Sequence, residues 1–118
     1  MDLLVWKKNN VGLGRNYRNT FELIVYGKKQ ESENFKEFRR DILEFNNPTN
    51  KLHPTQKPVD LIKYLIDIED PKIILDPFLG SGTTAVAAKQ LKRNFIGIEI
   101  SEKYCEIARG RLRQEILL

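Results

Sequence analysis

An α/β chain is what this sequence predicts, and three observations carry that expectation. Its second half runs helix, strand, helix, strand, helix, which is the order of a parallel βαβ unit. The first of those strands leads into its helix through a glycine turn, Gly80-Ser81-Gly82. The first half instead carries two strands rich in β-branched and aromatic residues on either side of a Gly/Asn loop, as an antiparallel hairpin would.

In chain order, Leu3 to Lys7 and Phe21 to Gly27 read as the hairpin strands, and Asn9 to Asn19 as a long, basic tip. Residues 28 to about 52 are polar. A short helix is considered over Glu31 to Leu43, and Asn46 to Asn50 is loop. From Pro58 the apolar residues Val59, Ile62, Leu65 and Ile66 recur at helical spacing, and Pro71 ends that helix. Lys72 to Asp76 reads as a strand, Thr83 to Leu91 as an Ala-rich helix, and Asn94 to Glu99 as a strand. Ser101 is a good N-cap for a last helix ending near Leu112.

Composition bounds the function more than it names it. The 118 residues suit one small domain, and 41% hydrophobic with 31% charged residues is an ordinary globular balance. No apolar run approaches the roughly 20 residues of a membrane span, and the opening residues have no signal-peptide pattern, so no membrane partner is expected. The single cysteine, Cys105, excludes an internal disulfide and fits a reducing, cytoplasmic setting. A net charge of +4 permits a polyanionic partner without demanding one.

The chemistry lies between Asp76 and Ala85, with Glu99. A glycine turn that leaves a strand and opens a helix lets backbone approach a ligand, and the helix start offers free N–H groups. An acid after the next strand suits ribose hydroxyls. Gly80 to Ala85 matches G-x-G-x-x-A, a pattern that fits a nicotinamide dinucleotide as well as S-adenosylmethionine (AdoMet). Asp76 separates the two: a carboxylate beside the turn repels a pyrophosphate, whereas AdoMet brings an ammonium and a sulfonium. The turn lacks the lysine of a phosphate-binding P-loop. His53 stands before a proline and reads as a loop hydrogen-bonder, and Cys105 as a small core residue. No Cys/His cluster suggests a metal.

Three blocks, His53-Pro54-Thr55-Gln56-Lys57-Pro58, Asp76 to Thr84, and Phe95-Ile96-Gly97-Ile98-Glu99 with Tyr104 and Ala108 beyond it, resemble the DNA N6-adenine/N4-cytosine methyltransferases of the permuted β type. The resemblance covers nearly the whole chain. It implies an incomplete Rossmann-like AdoMet-dependent methyltransferase fold, a βαβ unit plus an antiparallel hairpin. Its parts would be a hairpin with a basic loop over 1–28, a short variable segment over 29–52, and a cofactor region over 53–118. It implies that Thr55, Gln56 and Lys57 hold the methionine end of AdoMet. Asp76, Phe78, Gly80, Ser81, Gly82 and Thr83 would form the main cofactor loop, Glu99 would bind the ribose, and Ile100 would flank the adenine ring. The activity implied is site-specific DNA methylation within restriction–modification systems.

The family's catalytic motif is Asp/Asn/Ser-Pro-Pro followed by an aromatic residue, which holds a flipped base near the methyl donor. Pro48, Pro54, Pro58, Pro71 and Pro77 are all isolated, so no residue here is assigned catalysis. In the permuted order that block is expected upstream of Met1, and its absence predicts a truncated gene product, a complementing chain or self-association. Lys7, Lys8, Arg15 and Arg18, with Tyr17, are the candidate DNA-binding group: cations for phosphates and a ring for a base. Rival readings are a non-catalytic or degraded cofactor-binding subunit and, less favoured by Asp76, a nicotinamide-binding domain.

Overall fold

The computed structural model describes residues 1–29 and 39–117, which fall into two compact units, Met1–Asn47 and Pro48–Leu118. In the first unit, β1 (Asp2–Lys7) and β2 (Phe21–Tyr26) pair antiparallel with Leu3 opposite Val25 and Val5 opposite Leu23. The ladder continues into the loop, where the Lys8 amide donates to the Thr20 carbonyl at 2.8 Å. A third strand, β3 (Ile42–Glu44), pairs parallel with the other side of β1, so the order is β2-β1-β3. This corrects the helix considered over Glu31 to Leu43: its end is strand, and residues 30–38 lie outside the described ones.

The two-residue period of a strand sends alternate side chains to opposite faces. Trp6, only 1% exposed, and Leu43 fall on one face, and the Trp6 indole N–H donates to the Phe45 carbonyl at 2.9 Å. Leu3, Leu23, Val25 and Ile42 fall on the other and stay exposed.

The second unit starts with α1 (Val59–Glu69). Pro58 holds the N-cap with φ −66°, where its missing N–H costs nothing, and Leu61 and Ile66 form the buried stripe. Asp70, left-handed at φ 48°, ends the helix by donating its N–H to the Ile66 carbonyl. β4 (Ile73–Asp76) and β5 (Asn94–Gly97) are parallel partners, Ile73 opposite Asn94 and Asp76 opposite Gly97. α2 (Thr83–Gln90) crosses between them.

Ala85, Val86, Ala87 and Ala88 of α2 are all buried, because the helix lies among α1, β5 and α3. Small side chains on every face let three neighbours approach. α3 (Glu102–Leu117) begins as its N-cap predicts, with the Ser101 hydroxyl accepting from the Tyr104 amide, and runs about a turn beyond the expected end near Leu112. The βαβ unit and hairpin are thus present, while Ile73, Leu75 and Ile96 leave one face of the two-stranded sheet bare.

Candidate functional site

The second unit brings the three sequence blocks to one pocket of about 300 Å³. Thr55, Gln56 and Lys57 line one side, and Asp76, Phe78, Gly80, Ser81 and Thr83 form the turn side. Glu99 lines the same pocket. Gly82 and Ile100 do not line it: Gly82 is buried beneath the turn, and Ile100 is fully exposed.

The turn needs its glycines. Gly80 and Gly82 have φ 59° and 93°, where a side chain is strained. At Gly82 a Cβ would also sit 2.7 Å from the Ala108 Cβ on α3. The chain therefore turns tightly enough for the Gly82 amide to reach the Leu79 carbonyl at 3.1 Å, and α2 starts immediately afterwards.

Glu99 lies two residues past the end of β5 and is held entirely by backbone. Its Oε2 accepts from the Gly80 amide at 2.7 Å and its Oε1 from the Ser101 amide at 2.9 Å. The Ser101 and Gly80 amides stabilise the anion and lower its pKa below the ordinary carboxylate value, against a partial desolvation that raises it. Each oxygen keeps a lone pair for a hydroxyl donor. Across the turn, Asp76 accepts from the Phe78 amide at 3.0 Å, which fixes a second carboxylate at the pocket wall.

The 52–58 segment is organised by its own side chains. The Thr55 amide donates to His53 Nδ1 at 3.2 Å, so that nitrogen is an acceptor. The His53 ring stacks at a tilt on Tyr104, centroids 4.3 Å apart. Gln56 Oε1 accepts from the Leu52 amide at 2.8 Å and from the Ser81 hydroxyl at 3.4 Å, tying this segment to the glycine turn.

Beyond the expected residues, His53, Ile62, Leu79 and Thr84 also line the pocket. Arg111 is the larger omission. One guanidinium nitrogen donates to the Ser81 carbonyl at 3.0 Å, the Thr83 hydroxyl at 3.2 Å and the Ser81 hydroxyl at 3.3 Å. No spacing rule signals a contact between residues 28 to 30 positions apart.

In the first unit, Tyr17 is 94% exposed, and Arg15 and Arg18 are exposed beside it on the loop. Lys8 turns inward instead. Its ammonium lies 3.5 Å from Glu22 and 5.1 Å from the Trp6 ring centre, while Lys7 pairs with Glu44 at 3.3 Å. Among the described residues no group of three or more His, Cys, Asp or Glu is placed to hold a metal ion, and no helix is long and apolar enough to cross a membrane.

The DNA methylase family N6_N4_Mtase matches residues 1–110. The type II methyltransferase M2.DpnII of Streptococcus pneumoniae is 32% identical over 135 aligned positions, covering 95% of this chain and 50% of that protein. M.HinfI of Haemophilus influenzae is 48% identical over 66 positions, covering 54% of this chain and 18% of its own length. The solved M1.HpyAVI–SAM complex superposes with a TM-score of 0.70 at 35% identity, covering 94% of this chain and 60% of that one. The chain spans about half the length of the curated relatives that match it along nearly its whole length. Fold, glycine turn and sequence agree: this chain belongs to the N6/N4 DNA methylase family.

Proposed function

We propose that this chain forms the AdoMet site of a DNA methyltransferase that acts on adenine N6 or cytosine N4. The observation that carries this reading is Glu99, an anion fixed by the Gly80 and Ser101 amides with lone pairs left for ribose hydroxyls. The other residues fit the same ligand. The positive-φ glycine turn permits close backbone approach, and Asp76 favours a cationic ligand over a pyrophosphate. Thr55, Gln56 and Lys57 meet the methionine end, where Lys57 complements a carboxylate. Phe78 belongs to the loop that lines the pocket, and Ile100, exposed just outside the lining, would offer apolar surface to the adenine ring. When bound, AdoMet supplies a methyl group activated on a sulfonium.

The loop bearing Arg15, Tyr17 and Arg18 is the DNA-facing element of this reading, with Lys7 and Lys8 at its base. The base-holding Pro-Pro-aromatic block is not in this sequence, so the chain alone binds cofactor without turning over. A complementing chain would supply that block, and either it or self-association would cover the bare faces of Leu23, Val25, Leu75 and Ile96. The setting is cytoplasmic, with the DNA. The isolated prolines also favour a second reading, a cofactor-binding subunit with no catalytic partner.

Calorimetric titration of the purified chain with AdoMet tests the cofactor site. Saturation near one site per chain supports it, and a folded chain that ignores AdoMet sinks it. Methylation of DNA by the chain alone would refute the expected inactivity. Turnover on mixing with a chain that carries the Pro-Pro block separates the first reading from the second.

A further inference from the structure

Ser81 and Thr83, 3% and 7% exposed, are the buried polar side chains among the described residues, and both end on Arg111. Buried polar groups need partners, and a planar guanidinium can serve a carbonyl and a hydroxyl at once. Two separate sets of contacts hold the turn. Glu99 is tied to Gly80 and Ser101 by bonds that do not include Arg111. Arg111 instead holds Ser81, and the Ser81 hydroxyl donates to Gln56 in the Thr55–Lys57 segment. Arg111 lies on α3, outside the pocket lining, and touches it through Ser81 and Thr83.

We propose that Arg111 is a positioning residue for the methionine end of the cofactor, setting the Ser81–Gln56 side of the pocket while leaving the adenosine side to Glu99. This rests on the AdoMet reading. It predicts that the two ends of one ligand respond differently to one substitution. Without the guanidinium, Ser81 loses the donor to its carbonyl, the turn relaxes, and the Ser81–Gln56 link opens. The Gly80–Glu99 contact remains.

The test measures AdoMet and adenosine affinities separately for the full chain, by calorimetry and by chemical-shift titration. Wild type is compared with Arg111→Met, Arg111→Lys and Ser81→Ala. Arg111→Met should weaken AdoMet about tenfold and adenosine by no more than about twofold, as loss of hydrogen bonds from a charged donor suggests. Arg111→Lys should recover part of the AdoMet loss. Ser81→Ala should weaken AdoMet selectively by a smaller factor. Equal losses for both ligands, with a lowered melting temperature, would make Arg111 a structural brace and overturn the proposal. So would unchanged AdoMet affinity. If Arg111→Met does not fold, the same ligand pair on Arg111→Lys and Ser81→Ala decides. If folded wild type ignores AdoMet but binds adenosine, the cofactor reading falls, and this inference with it.

Discussion

At the scale of single residues, backbone geometry does most of the work at the site. The Glu99 carboxylate is held as an anion by the Gly80 and Ser101 amides, and a glutamine would turn its N–H groups toward one of them. Glu99→Gln should weaken AdoMet by about tenfold or more, read by calorimetry, because a charge-assisted acceptor is lost. The same carboxylate has a pH signature. Its pKa is lowered in the folded chain, so its stabilisation is fully present above the ordinary carboxylate range and lost as pH falls through the lowered value. Melts between about pH 3 and pH 7 should show an acid-side slope that Glu99→Gln reduces. Gly82→Ala should cost about 2–4 kcal/mol in chemical denaturation, from strain at positive φ and the collision with Ala108.

At the scale of elements, helix ends and strand pairing were unequally legible. Pro58, Pro71 and Ser101 bracket α1 and open α3 because they act through local backbone rules. β3 was not legible: three residues carry too little period, and only pairing with β1 makes them a strand. Glu99 was placed at the end of a strand, yet β5 stops at Gly97, and the Ile98 amide turns to the Asp76 carbonyl. After α2, Lys92 adopts φ 57°, left-handed without being glycine. Lys92→Gly should therefore raise stability by up to about 1 kcal/mol, seen as a higher melting temperature, because the side-chain penalty exceeds glycine's entropic cost.

At the scale of the whole molecule, both sheets keep exposed apolar faces. Val25 is 69% and Leu75 62% exposed, on sheet faces that carry their neighbours Leu23 and Ile96 as well. Concentration-dependent association on a sizing column is the expected behaviour, and Leu75→Lys with Ile96→Lys should reduce it. A wild-type chain that stays monomeric at every concentration would mean that these faces do not drive assembly. DNA binding, if the loop supplies it, should depend on salt. Arg15→Gln and Arg18→Gln should each lower the slope of log affinity against log salt by about one.

What the sequence by itself determined was local and periodic: the βαβ order, the hairpin, the glycine turn and the acid that follows it. Each is written in residues near one another, where spacing, capping and backbone permissiveness act. The family resemblance named in advance the segments that line the pocket, because whole blocks carry that signal. Only the tertiary structure decided what depends on distant partners. It gathered His53 against Tyr104, set Arg111 under Ser81 and Thr83, and turned Lys8 inward to Glu22 and Trp6. A long cationic side chain reaches several ångströms in many directions, and its sequence neighbours do not say which buried carbonyl or hydroxyl will end up within that reach.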